Sequence, residues 1–266
     1  MKKLLLINFA LLLIIQFNAC RKEKDLELNF NAATQNALAE NTLDDIQAIA
    51  DQASTGSLTH YRTSSSACAT ITHDTMATPH VLTIDFGDTN CTCVDGKTRR
   101  GKIIITYTGA YRDPGHTHTT SFDNYFVNDN QVTGSRNVTN NGLNTDGNLT
   151  YTVESNITIL LADGGSFTRN ANRTREWIEG VTTGTWSDDV YLITGSATGS
   201  DSDGRSYTAT IITALRREIG CRWFVSGSIE IVPHTLNTRL LDFGDGVCDN
   251  QATVTINGNT HSITLH

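Results

Sequence analysis

The feature that most constrains the fold is a period-two alternation of apolar and polar side chains, which continues from about Gly56 to the C-terminus. The first alternating segment is Cys68–His73 and the last is His261–Leu265. Turn dipeptides such as Asp146-Gly147 and Asn257-Gly258 separate the segments, and such pairs close hairpins at low cost. Alternation of this kind is typical of strands with one buried face.

No stretch between these segments has the length and periodicity of a crossover helix, which parallel strands would need. The sequence therefore predicts an all-β fold, a long antiparallel meander that forms one large twisted or curled sheet. So long a sheet can stay open, split into a sandwich or become barrel-like. We expect residues 64–266 to be a single β domain.

Composition agrees with a β fold and narrows the class of partner. The chain has about 40 threonines, which suit half-exposed strands. Its formal net charge is −8, and removal of residues 1–19 with their two lysines leaves 18 basic and 28 acidic side chains, a net charge of −10. Because nucleic-acid phosphates favour a basic surface, we expect no nucleic acid among its partners.

The N-terminus has the pattern of an export signal. Lys2 and Lys3 precede a largely apolar run from Leu4 to Phe17, which is too short for a comfortable membrane helix. The run ends in Phe17-Asn18-Ala19-Cys20, which looks like a lipobox, although Phe17 stands where leucine is usual. The sequence predicts a signal peptide over 1–19 and a lipid on Cys20 that anchors the protein to a membrane. An ordinary signal peptide followed by a chance cysteine is the alternative.

The segment after Cys20 is polar, and we expect residues 20–41 to include a flexible tether. The charged start, Arg21 to Asp25, resembles the surface-export signal of Bacteroidota lipoproteins, with Lys24 as a departure from it. Leu43, Ile46 and Ile49 then recur at helical spacing after a threonine that could cap a helix. This predicts one short helix over about 43–53, within a helix-and-linker region of residues 42–63.

A repeated unit points to disulfides. Each copy contains a cysteine, a strand, a Pro-His turn, a second strand that ends in Asp-Phe-Gly-Asp, and another cysteine. If Val232 pairs with Thr238 across the second turn, paired residue numbers add up to 470 and the flanking cysteines lie close together. We therefore predict the pairs Cys68–Cys91 and Cys221–Cys248, with Cys93 left over. A Cys91–Cys248 bridge between the two copies is the main rival, and a metal site at Cys91 and Cys93 is a weaker one.

Catalytic and binding motifs are weak. Carboxylates at Glu176, Glu179, Asp188 and Asp189 near tryptophans could suit a glycan hydrolase. An aromatic glycan-binding face is the simpler interpretation, and its candidate side chains are Trp177, Trp186 and Trp223.

Metal signals are equally faint, and no cofactor is predicted. Asp201 and Asp203 faintly resemble a calcium loop, but the pattern favours a plain hairpin turn. His116 and His118 could share a strand face, yet no third ligand is evident. Each Asp-Phe-Gly-Asp segment is best explained as a strand end with a buried phenylalanine and a capped turn.

The chain as a whole resembles uncharacterised lipoproteins of Bacteroidota. The resemblance covers most of residues 64–266, and it depends on the lipobox, the two Asp-Phe-Gly-Asp segments, the stretch from Asp95 to Ile103 and the stretch from Gly244 to Asn250. It implies a family without an assigned activity. We expect an anchored envelope protein that binds a glycan or protein ligand without catalysis; the alternative is a secreted glycan hydrolase.

Overall fold

The computed structural model of the chain describes residues 29–54, 68–183 and 185–265. The predicted signal peptide 1–19 and Cys20 lie outside the described residues. The described part contains a helix, α1 (Asn31–Ser54), a 3₁₀ turn, Trp186–Asp188, and a 14-stranded sheet. The strands are β1 Thr70–Asp74, β2 His80–Asp85, β3 Cys91–Thr92, β4 Thr98–Tyr107, β5 Thr117–Val127, β6 Asn130–Leu143, β7 Leu149–Leu160, β8 Ser166–Glu179, β9 Val190–Ser200, β10 Ser206–Glu218, β11 Phe224–Pro233, β12 Arg239–Asp245, β13 Gln251–Ile256 and β14 Asn259–Thr264.

The sheet is an antiparallel meander, as the alternation predicts. Each strand pairs with the next along the chain, except that β2 pairs with β4 while the short β3 pairs with β4 off the main path. The strands β1 and β14 are the two ends of this order, and the sheet is not closed. A sheet this long can remain open, split into a sandwich or close into a barrel, and this sheet remains open and curled.

The middle strands are longer than the sequence predicts. Two alternating segments, Leu149–Val153 and Asn156–Leu161, form the single strand β7, and two more form β8. The inward positions at the joins are Ser155 in β7 and Arg173 in β8, both buried. Polar residues on the buried face interrupt the apolar pattern, so the sequence divides strands that the backbone continues.

The helix is also longer than predicted, and it replaces part of the expected tether. It begins at Asn31 rather than near residue 43, so residues 31–41 are helical. Asn36 and Glu40, at 0% and 7% exposure, lie in this polar stretch. None of the described side chains of α1 is exposed. The polar composition that predicts a solvated tether instead belongs to a buried helix.

The sheet wraps around α1. Leu43, Ile46 and Ile49 pack in one apolar cluster with residues from β2 to β8, and Ala33 and Ala37 pack in another with residues from β8 to β13. The helix therefore lies between the two halves of one sheet, whose inner face it covers.

Arginines stand at many inward positions of the sheet. Seven of them are at most 5% exposed: Arg99, Arg136, Arg169, Arg173, Arg175, Arg217 and Arg239. Three of their counter-charges come from α1, because Glu40 pairs with Arg169 and Arg173, Asp44 with Arg217, and Asp45 with Arg99. The helix and sheet thus meet across buried ion pairs as well as apolar contacts.

The second of the repeated hairpins has the predicted register, and both hairpins have the predicted disulfides. Ile231 pairs with Arg239 and Ile229 with Leu241, and both pairs add up to the expected 470. The bridges are Cys68–Cys91 and Cys221–Cys248, with Cα separations of 5.6 and 5.7 Å. Cys93 is a free, buried thiol.

The Asp-Phe-Gly-Asp segments are strand ends, as expected. Phe86 and Phe243 are 4% and 2% exposed. The first aspartate of each segment accepts a hydrogen bond from the glycine N–H two residues later, at 2.8 Å in both copies. Both glycines have positive φ, which an aspartate-capped turn accommodates at low cost.

Candidate functional site

The outer face of the central strands carries a shallow depression of about 510 Å³. Eight of its eleven lining residues carry an amide or a hydroxyl, and the lining comes from β6, β7, β8 and β9. The lining residues are Ser135, Asn137, Glu154, Ser155, Asn156, Asn170, Ala171, Asn172, Ser196, Ala197 and Thr198.

Strand register places these side chains in two rows across the sheet. One row runs through Asn137, Glu154, Asn172 and Ser196, which are successive cross-strand partners. The neighbouring row runs through Ser135, Asn156, Asn170 and Thr198. Because directly opposed residues on neighbouring strands lie about 5 Å apart, each row forms a continuous polar ladder.

Two glycines allow the backbones to approach closely beside these rows. A Cβ on Gly134 would lie 2.1 Å from the carbonyl oxygen of Asn156, and one on Gly195 would lie 2.3 Å from that of Asn172. Both glycines have positive φ, 104° and 117°. Only glycine suits such positions, so the local shape of the depression depends on them.

The depression has unused hydrogen-bonding capacity. Within the part of the chain that the structure describes, the side chains of Glu154, Asn156, Asn170 and Asn172 make no hydrogen bond to other protein groups. A side-chain amide offers two donor hydrogens and one acceptor oxygen. Such groups on a flat surface can bind the hydroxyls of a neutral ligand, and Glu154 is the single carboxylate among the lining residues.

A threonine row continues the polar surface beyond the depression. Thr117, Thr139, Thr152, Thr174 and Thr194 are successive cross-strand partners from β5 to β9. The hydroxyls extend the surface that an elongated ligand could contact.

The structure assigns separate local contacts to the three carboxylates predicted for hydrolysis. Glu176 accepts hydrogen bonds of 2.8 Å from the side-chain amides of Asn144 and Asn148, which fix the β6–β7 turn. Glu179 forms an ion pair with Arg216 at 3.0 Å. The Asp188 carboxylate accepts a hydrogen bond from the Thr183 hydroxyl at 3.0 Å.

The neighbouring Asp189 is the carboxyl with an unusual environment. It is 6% exposed, and its Oδ1 has no hydrogen-bond partner among the described residues. Burial, together with the charges of Asp51 and Asp188, raises its pKa to about 6. Asp189 does not line the depression, so this carboxyl is not part of the outer-face site.

Of the three tryptophans predicted to form a stacking face, Trp177 is buried. Trp177 is 3% exposed, packs on Tyr191 with ring centroids 5.3 Å apart, and has the Arg112 guanidinium 4.6 Å from its ring. A ring packed in this way cannot receive a sugar, so the structure contradicts that role for Trp177. Trp223 is partly buried against the apolar cluster near β11. The Trp186 side chain lies outside the described part of the structure.

The two aspartates of the suggested calcium loop have structural partners. The Asp201 carboxylate accepts hydrogen bonds from the backbone N–H groups of Asp203 and Arg205 and pairs with the Arg205 guanidinium. Asp203 accepts hydrogen bonds from the side-chain amides of Asn29 and Asn31. The turn between β9 and β10 therefore fixes the start of α1.

The two histidines of the suggested metal pair contact different groups. His116 Nδ1 lies 3.1 Å from the Thr108 hydroxyl, while His118 Nε2 donates to the Gly109 carbonyl oxygen at 3.0 Å. Burial lowers the pKa of His118. Among the described residues, no group of three or more histidine, cysteine or acidic side chains is placed to hold a metal ion.

The sequence patterns did not predict the outer-face depression. The available signal was the spacing of Asn170 and Asn172, which puts two amides on one face of a strand. It was weak, because asparagine is common in turns and Asn156 begins one of the alternating segments. Only the register across four strands shows that these amides lie side by side.

Comparisons with protein-family models, with curated protein sequences and with solved structures found no match to this chain. Over the described residues, no helix combines the length and the apolar character needed to cross a bilayer. The interpretation of the site therefore depends on its own geometry and chemistry.

Proposed function

We propose that the chain is a lipid-anchored envelope protein that binds a neutral glycan, without catalysis, on the outer face of β6–β9. The observation that carries the proposal is the depression lined by amides and hydroxyls from four adjacent strands. Neutral sugars present many hydroxyls, which match side chains that both donate and accept hydrogen bonds. A shallow, open site also suits a polymer that extends past it along the threonine row.

The location rests on the sequence. The apolar run to Phe17 and the lipobox-like segment ending at Cys20 support export and lipid attachment at the outer membrane, on the cell surface or on the periplasmic face. The resemblance to Bacteroidota lipoproteins supports the same location. Two intramolecular disulfides are compatible with an oxidising compartment.

The hydrolase alternative has less support. Its candidate carboxylates, Glu176, Glu179 and Asp188, each have a different local partner, and none of them lines the outer-face depression. Glycoside hydrolysis needs two carboxyl groups that converge on one bond. Binding without turnover is therefore the function that the geometry favours.

A glycan array screened with the purified protein, followed by calorimetric titration of any hit, tests the proposal. Asn172→Ala should weaken binding about tenfold, because loss of its hydrogen bonds removes about 1.4 kcal/mol. Ser166→Ala is the matched control, since it lies on the same face of β8 but outside both the depression and the threonine row. Absence of any glycan ligand, or equal affinity of Asn172→Ala and the unaltered protein, would contradict the proposal.

The anchor needs its own experiment. Cys20→Ser should abolish metabolic labelling with palmitate and move the protein from the membrane fraction to the soluble fraction. A membrane-impermeant amine probe applied to intact cells then distinguishes the two faces, because only a surface-exposed chain is labelled. Unchanged palmitate incorporation in Cys20→Ser would show that the lipid is attached elsewhere.

A further inference from the structure

A small cavity lies between α1 and the inner face of the sheet, on the opposite side of the central strands from the glycan-binding face. Its volume is about 30 Å³. Arginines dominate its polar lining, and the lining residues are Glu40, Leu43, Asp44, Arg136, Val153, Ser155, Arg169, Arg173, Arg175, Ile193 and Phe224. A cavity of this size holds a single water-sized species.

Two of the lining guanidiniums have donors without partners. Arg173 Nη2 donates to Glu40 at 2.5 Å, but its Nε and Nη1 have no hydrogen-bond partner among the described residues. Arg175 Nη1 donates to the Tyr111 hydroxyl at 3.3 Å, and its Nε and Nη2 are likewise without partners. Both side chains are buried, at 4% and 2% exposure. Buried donors of this kind are costly unless something accepts from them.

Positive charge also exceeds negative charge around the cavity. Four guanidiniums line it, together with the carboxylates of Glu40 and Asp44. Asp44 is shared with a further guanidinium, that of Arg217. Asp51 is a third nearby carboxyl: its charge acts on Arg175, and burial raises the pKa of Asp51. With all three carboxyls ionised, five guanidiniums still leave a surplus of two positive charges.

Two of the neighbouring guanidiniums have lowered pKa values. Burial, together with the charge of Arg175, lowers the pKa of Arg136. Burial also lowers the pKa of Arg169. The charge of Arg173 lowers this pKa further, whereas the charge of Glu40 raises it. A water molecule could accept hydrogen bonds from the unpartnered donors, but it would leave the excess charge uncompensated in a buried site.

We infer that this cavity is a binding site for one monatomic anion, chloride in the natural setting, held by the guanidiniums of Arg173 and Arg175 between α1 and the sheet. The anion would accept charge-assisted hydrogen bonds from donors that lack protein partners. It would also offset part of the positive charge that the inner face carries beyond the acids of α1. Chloride would then stabilise the packing of the helix within the sheet.

Anomalous diffraction from crystals of the full chain grown in bromide tests the site directly. The expected result is a bromine peak in the cavity, within hydrogen-bonding distance of the Arg173 and Arg175 guanidiniums. Electron density without an anomalous signal would identify an ordered water. That result would overturn the inference, and so would a cavity without any density.

Thermal unfolding at constant ionic strength tests the same site in solution. When gluconate is replaced by chloride, the midpoint should rise by about 3–5 °C for each tenfold increase in chloride above its dissociation constant. Arg173→Met should lose this dependence, whereas Arg216→Met, an arginine on the solvent side of β10, should keep it. The inference is overturned if the unaltered protein shows no response to chloride, or if Arg173→Met keeps the response. If Arg173→Met does not fold, the bromide experiment decides.

Discussion

Replacement of Glu40 by glutamine tests whether buried ion pairs hold α1 within the sheet. Glu40 is 7% exposed, and its carboxylate accepts hydrogen bonds from both Arg169 and Arg173. Glutamine keeps the size of the side chain but removes its charge, so two buried guanidiniums lose a shared counter-charge. Removal of one partner from a buried ion pair costs about 3–5 kcal/mol. The unfolding midpoint should fall by roughly 6–20 °C in a chain of this size.

Urea denaturation and thermal unfolding, both followed by circular dichroism at pH 7, measure this cost. Glu230→Gln is the matched control, because Glu230 lies on the exposed face of β11. Its free energy of unfolding should stay within about 0.5 kcal/mol of the unaltered protein. The reasoning is refuted if Glu40→Gln is as stable as Glu230→Gln.

The same variant has a predicted pH dependence. Burial raises the pKa of Glu40, but the charges of Arg169 and Arg173 outweigh it, so the pKa lies below the ordinary value of 4.5. A carboxyl whose pKa is lower in the folded state stabilises the fold above its unfolded-state pKa. That stabilisation is lost as the pH falls through the folded-state pKa. The stability difference between Glu40→Gln and the unaltered protein should therefore be full at pH 7 and narrow below about pH 4.

Three further changes have defined outcomes. Cys221→Ser opens a disulfide across 27 residues and should lower stability by about 3 kcal/mol in denaturant titrations under oxidising conditions, with no such difference after reduction. Asp189→Asn should stabilise the protein above pH 6 and lose that advantage below about pH 4, because a carboxyl whose pKa is raised to about 6 disfavours the fold once ionised; a flat difference across this range would contradict it. Gly101→Ala should lower the free energy of unfolding by on the order of 3 kcal/mol, because its Cβ would lie 1.9 Å from a backbone oxygen and its φ is positive. Gly96→Ala is the control: it also has a positive φ but open space around it, and it should cost only about 1 kcal/mol by the same titration.

Local patterns predicted the elements that depend on local geometry. Alternation and turn dipeptides predicted an antiparallel meander, and the Pro-His turns fixed a register that brings Cys221 beside Cys248. These features follow from the period of a strand and the φ that a turn requires, and both are properties of a few adjacent residues.

Residues 31–41 and the middle of β8 show where local patterns fail. Both stretches are polar, and the sequence predicts a tether and a break between strands. In the structure, Asn36 and Glu40 are buried against Arg169 and Arg173, so the two polar stretches pair with each other. Such partners are more than 100 residues apart, and no periodicity in either segment reports the pairing.

The sequence by itself therefore determined the class of fold and the direction of the strands, and it predicted the two disulfides, because each depends on spacing along the chain. Tertiary structure decided that the sheet remains open and wraps around α1, that Trp177 is buried, and that asparagines from β7 and β8 share one depression on the outer face. The physical reason is that burial of a polar side chain is set by the groups that meet it, and here those groups come from distant strands.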